Sequence, residues 1–209
     1  MPATGSLDRE VLLALGRIAV EAGAAPGPEE ALWCVTRALP GLLGDPDAGL
    51  RAHAFREPEP PAVGVAAVGF MRTPDSRHHM IVAPVNFPPE QRHELVDMRL
   101  GHPGTVAVSR RPLLLRDTAL HPGFVKILQT FRAGSAMFAP MLWRDDYLGV
   151  LICAAAARAT FGERDLAALQ VFAGLAAACW VAQDGPSWLA ALATCGLPVR
   201  DRETPGERS

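Results

Sequence analysis

The chain has 209 residues, a formal net charge of −2 and a hydrophobic fraction of 49%, the figures of one ordinary folded domain. They exclude a strongly basic surface of the kind that nucleic acid or anionic lipid selects. The N-terminus Met1-Pro2-Ala3-Thr4-Gly5-Ser6 lacks the basic and apolar regions of a secretory signal, and no apolar run reads as a membrane span, so the expectation is a cytoplasmic protein with no direct nucleic acid or membrane partner.

In chain order, residues 1–7 read as a flexible N-terminus. Val11, Leu12, Leu15, Ile18, Ala19 and Ala22 then mark one face of a helix ending near Gly23. After the loop at Pro26-Gly27-Pro28, a second helix buries Ala31, Leu32, Val35, Ala38, Leu39 and Leu42. Residues 48–55 and 62–71 read as the first two strands, separated by a proline-rich link too stiff for a tight turn, and residues 79–84 as a third. Gly101-His102-Pro103-Gly104 leads into a helix over residues 104–109. Arg110-Arg111-Pro112 precedes three leucines, which suits a short buried strand with the proline at its start. Residues 122–134 read as a helix. Residues 135–143 and 147–154 are apolar runs of strand length joined by Arg144-Asp145-Asp146, a hairpin signal. Thr160 and Glu163 have the spacing of a capping box, followed by Leu166, Leu169, Phe172, Leu175, Ala176 and Cys179 at helical spacing. A short helix is expected near residues 188–194, and residues 200–209 read as disordered.

This order predicts an α+β fold, a central antiparallel sheet of about six strands with N- and C-terminal helices packed on one face. One domain spans residues 8–183, followed by an extension over 184–209, partly disordered. Cys34, Cys153, Cys179 and Cys195 show no Cys-x-x-Cys spacing and read as core thiols, Cys195 being the most exposed. His78, His79, His93, His102 and His121 lack the spacing of a metal site, so no metal is predicted. An axial haem ligand at His102 or His121 would leave no such motif.

The arginine-proline strand, the Ser135-to-Pro140 strand, the Leu148-Gly149-Val150-Leu151 strand and the Phe161-x-x-x-Asp165 helix start, taken in that order, resemble the second half of a GAF domain, the small-molecule-sensing relative of the PAS domain. The resemblance is strongest over residues 100–180. It implies a GAF/PAS-like sheet and a ligand pocket between the sheet and residues 85–135, where Phe87, Met98, His102, Thr105, Asp117, His121, Phe124, Phe131, Ser135 and Met137 are the candidate ligand-binding residues. An equally plain reading has the apolar members of this set closing the core and the histidines facing solvent.

The resemblance also implies which specialised activities are missing. Free methionine sulfoxide reductases of this fold carry a cysteine where this chain has Gly104-Thr105-Val106-Ala107, and no cysteine lies between Cys34 and Cys153 for a covalent bilin. Cyclic-nucleotide binders carry Phe-x-x-x-Asp-Glu and an Asn-Lys pair; here Leu166 follows Asp165 and the pair is absent. The expectation is therefore no enzyme, no covalent chromophore and an unknown cofactor. The leading reading is a sensory protein similar to the stand-alone nitrate-receptor GAF proteins, binding an anion or metabolite and signalling through a kinase or transcriptional regulator. The alternative is a ligand-free homodimerisation module, pairing through the first helix and the small residues Ala173, Gly174, Ala176, Ala177 and Ala178; a hydrolase or redox enzyme is third.

Overall fold

Strand residues Val65–Arg72 and His78–Val85 are each buried at six successive positions, a pattern that requires cover on both faces of a sheet. The computed structural model, which describes residues 4–56, 60–192 and 196–200, shows that cover. The elements are helices α1 (Thr4–Gly23) and α2 (Pro28–Leu42), strands β1 (Val65–Arg72), β2 (His78–Val85) and β3 (Leu95–Asp97), helix α3 (Gly101–Ser109), strands β4 (Leu113–Leu115), β5 (Ser135–Trp143) and β6 (Asp146–Ala155), helices α4 (Glu163–Ala182) and α5 (Gly185–Ala191), and strand β7 (Val199–Arg200). The sheet order is β4-β5-β6-β1-β2-β3-β7. Every pairing is antiparallel except β3 with β7.

The period of two along each strand sorts the core into halves. Met137, Ala139 and Met141 of β5 and Leu151 and Cys153 of β6 face α1, α2 and α4, where Leu32, Val35, Leu39, Leu169 and Phe172 close the larger cluster. Ala136 and Phe138 of β5, Val150 and Ile152 of β6 and Val68 and Phe70 of β1 face the other way, under α3 and the segment leading into β5. Gly134 makes that segment's junction with the sheet possible, because a Cβ there would stand 2.3 Å from the carbonyl oxygen of Ala156.

Helix α4 is long and apolar enough to cross a membrane by composition, contrary to the sequence expectation that no such run exists. It is the core helix of this fold: Leu169, Phe172, Ala173, Ala176 and Ala177 are all at most 1% exposed. The same burial removes three of the five small residues expected to form a dimer seam, since Ala173, Ala176 and Ala177 pack within their own chain. The cap also differs from expectation. Gly162, not Thr160, is the N-cap, and the Asp165 carboxylate accepts from the N–H groups of Gly162 (2.8 Å) and Gly44 (2.9 Å), tying α4 to the end of α2. Thr160 Oγ1 instead donates to Ala157 O.

Other corrections have local causes. Residues 48–55 form a 3-10 turn (Ala48–Leu50) and a loop, not a strand. Residues 122–134 are not a helix: the Gln91 amide donates to Ile127 O and accepts from Gln129 N–H, taking backbone groups a helix would pair internally. On α1 the buried face runs through Ile18 and Ala22, while Leu12 and Ala19 are exposed. The helix is described from Thr4, inside the segment 1–7 expected to be flexible. Beyond residue 183 the chain packs on the domain: Trp188 of α5 meets Trp180 edge-on at 5.6 Å, and β7 extends the sheet to seven strands. Cys195 and residues 201–209 lie outside the described residues.

Candidate functional site

Between the sheet face of β1, β5 and β6 and the irregular cover 121–134 lies an apolar cavity of about 50 Å³. Val68, Phe70, Ala136, Phe138 and Ile152 form its floor, and Phe124, Val125, Ile127, Leu128 and Phe131 its roof. A void of this size holds only a few water-sized groups, so an organic ligand enters it only by displacing part of the cover. The small floor residue Ala136, between larger neighbours, leaves the space.

His102, in the first turn of α3, supplies the polar feature of the wall. Its ring lies stacked on Phe138 at 5.9 Å and meets Phe124 and His121 at 5.7 Å. Burial, with His121 adding a smaller effect, lowers its pKa, so at neutral pH it is an uncharged imidazole with one donor and one acceptor. Its Nδ1 is buried and has no hydrogen-bond partner. Lys126, the one lysine of the sequence, is exposed on the cavity's outer wall.

The cover is hung on side chains instead of a backbone ladder. Besides the two Gln91 bonds, Thr130 Oγ1 donates to Asn86 O at 2.7 Å and Thr118 Oγ1 to Ala133 O at 2.6 Å.

The predicted site residues divide among several places. Phe87, His102, Phe124 and Phe131 line the cavity, and His121 touches it through the His102 ring. Met98 packs in the surrounding apolar cluster. Thr105 is exposed and donates to Gly101 O of its own helix. Ser135 is fully buried, its hydroxyl donating to Ala157 O. Met137 faces the helices on the opposite side of the sheet, because it is one residue out of phase with Ala136 and Phe138. Asp117 lies away from the cavity lining, among arginines. At the start of α3, a Cβ on Gly104 would stand 2.5 Å from the carbonyl carbon of Arg99, so the glycine lets the chain pack on itself. Arg110 is likewise engaged, donating to Asp145 O in the hairpin turn. Sequence reasoning missed the floor residues Val68, Phe70, Ala136, Phe138 and Ile152, although alternation along the hairpin marks which of them share a face.

Two buried polar groupings lie elsewhere. Glu29, 3% exposed at the start of α2, receives both arms of Arg92 at 2.8 Å and stands 3.1 Å from His93 Nε2. His79, fully buried, shares a 2.8 Å hydrogen bond with the Tyr147 hydroxyl, and burial lowers its pKa to about 4 despite the opposing effect of Asp97. Among the described residues no three His, Cys, Asp or Glu side chains converge as a metal site.

With this geometry in view, the chain belongs to the GAF domain family: the family's sequence model matches residues 29–180. Solved structures with the same fold include the GAF domain of a phosphoenolpyruvate-protein phosphotransferase from Coxiella burnetii (20% identity, 85% of this chain and 96% of that one, TM-score 0.69). The corresponding GAF domain from Acinetobacter is similar at 14% identity, over 83% and 94% of the two chains, with TM-score 0.65. Free methionine-R-sulfoxide reductase from Neisseria meningitidis, solved with its substrate, matches at 13% identity over 84% and 93%, with TM-score 0.63. At these identities the likeness is one of fold. Comparison with curated protein sequences gives no match.

Proposed function

We propose that this protein is a small-molecule sensor whose ligand inserts an apolar body between the sheet and the cover 121–134 and hydrogen-bonds to His102. The observation that carries this is the unpartnered, buried Nδ1 of His102 on the wall of an otherwise apolar cavity, the combination of apolar lining and one placed polar group that binding sites use. Lys126 on the outer wall favours a ligand with a carboxylate, so the class is a compact aromatic or branched-chain acid. Binding would order the cover, and the ordered cover would be the surface a kinase or transcriptional regulator reads.

Binding is favoured over turnover. Cys34, Cys153 and Cys179 lie in the helix-side clusters, and burial is the largest influence raising each thiol's pKa, so none is an activated nucleophile facing the cavity. The test is thermal denaturation against a series of small carboxylic acids, using wild type, His102→Phe and Ala136→Met. An acid that raises the wild-type Tm and fails on both variants supports the site; equal responses in all three would refute it.

A second reading, homodimerisation, has its own support. Leu13 and Val20, at 62% and 74% exposure, lie seven residues apart on the outer stripe of α1. Paired α1 helices from two copies would cover that stripe. Light scattering on Leu13→Glu/Val20→Glu tests it: the reading predicts a dimer in wild type and a monomer in the variant.

A further inference from the structure

Asp117 follows β4 and stands between two cations from separate parts of the chain, Arg56 from the loop before β1 and Arg158 from the turn after β6, while Arg132, at the end of the cover, is near enough to Arg56 to repel it. Arg56 Nη2 stands 3.5 Å from one Asp117 oxygen and Arg158 Nε 3.6 Å from the other. Neither contact is a hydrogen bond. Nε and Nη2 of Arg56 and Nε of Arg158 are buried without any hydrogen-bond partner. The Arg56 side chain is only 15% exposed, so it has little recourse to water for those donors.

Among the described residues the charges do not cancel. Three guanidiniums among the described residues gather near one carboxylate, and Arg56 shows the imbalance: burial first, then repulsion from Arg132, lowers its pKa, Asp117 opposes this, and Arg158 adds further repulsion. Backbone hydrogen bonds join the loops that carry the cluster. Thr118 N–H bonds Gly134 O, Arg158 N–H bonds Ala54 O, Ala159 N–H bonds Arg116 O, and Asp117 itself caps the turn at Ala119 N–H. Arginine donors left without hydrogen-bond partners around a positively charged centre match an oxyanion that accepts several charge-assisted hydrogen bonds at once.

We propose that Arg56, Arg132 and Arg158 form a second binding site, separate from the apolar cavity, for a phosphate-class oxyanion, with Asp117 positioning Arg56 and Arg158. The anion takes the buried donors that Asp117 leaves unmet and offsets the excess positive charge. Because Arg132 ends the segment that covers the cavity, occupancy also fixes one end of that cover.

Inorganic phosphate, titrated calorimetrically at constant ionic strength with chloride as the replacement salt, is the probe. Saturable millimolar or tighter binding to wild type is expected, weakened about tenfold or more in Arg56→Gln and in Arg158→Gln. Arg132→Gln, at an exposed position, guards against a folding defect in the buried variants and is expected to weaken binding as well. Ala136→Met is expected to bind phosphate like wild type, which separates this site from the cavity. Sulfate binding in place of chloride, with acetate weaker, fits a tetrahedral dianion. Absence of saturable binding to wild type, or unchanged affinity in the folded Arg132→Gln and Arg56→Gln proteins, overturns the proposal.

Discussion

Replacing Glu29 by Gln removes the charge from the most buried carboxylate contact of the described chain while keeping its shape. Burial alone would raise the Glu29 pKa, but the hydrogen bonds and charges of His93 and Arg92 outweigh it and hold the group at about 2, against an ordinary value of 4.5. The folded state therefore binds the proton less readily than the unfolded chain, so the contribution is fully present above pH 4.5 and is lost as pH falls toward 2. A difference of about 2.5 pKa units corresponds to about 3 kcal/mol at neutral pH, of which about 2 kcal/mol is gone by pH 3. The Glu29 side chain is 4% exposed, so solvent screening takes little from this figure, although Arg92 at 47% can reach water when its partner is lost. Urea unfolding of wild type and Glu29→Gln at pH 7 and pH 3 measures it. The variant should be about 2 to 3 kcal/mol less stable at pH 7 and only about 1 kcal/mol less stable at pH 3. A variant equally destabilised at both pH values, or as stable as wild type at pH 7, would show that the carboxylate charge does not carry the contact, and would refute the reasoning.

Three further outcomes test other parts of the structure. His79 is held neutral by burial, its folded pKa of about 4 lying below the ordinary 6.5, so the unfolded chain takes the proton first and stability falls as pH drops from 6.5 to 4; histidine NMR should show one imidazole that stays neutral down to about pH 4. Asp165→Ala removes both bonds to Gly162 and Gly44, and a loss of about 2 to 4 kcal/mol is expected in chemical denaturation. Gly134→Ala forces a Cβ against the Ala156 carbonyl oxygen and should cost about 1 to 3 kcal/mol; a neutral result would mean the strand junction is more pliant than its geometry implies.

The hairpin β5–β6, the helix α4 and the strand β2 were legible because each carries its own periodicity or turn chemistry within a short window. Residues 122–134 misled for a physical reason. Phe124, Ile127, Leu128 and Phe131 recur at helical spacing, yet the structure uses them to roof a cavity while Gln91, more than thirty residues away, takes the backbone groups. Strands β3 and β7 are too short to show a pattern and exist through their partners. The site was half visible. His102, Phe124 and Phe131 could be named from the family resemblance, whereas the floor depends on strand phase: the same hairpin places Ala136 in the cavity and Met137 behind the sheet. Asp117 illustrates the remaining gap, since its arginines come from residues 56, 132 and 158 and only tertiary structure brings them together.

The central claim is that the cavity beneath the cover holds a small acid at His102. Native mass spectrometry of wild type and Ala136→Met, each incubated with the same set of aromatic and branched-chain carboxylic acids, tests it most directly. The account predicts one-to-one adducts on wild type that disappear when the added side chain fills the cavity. Adducts on neither protein, or equally on both, would contradict it.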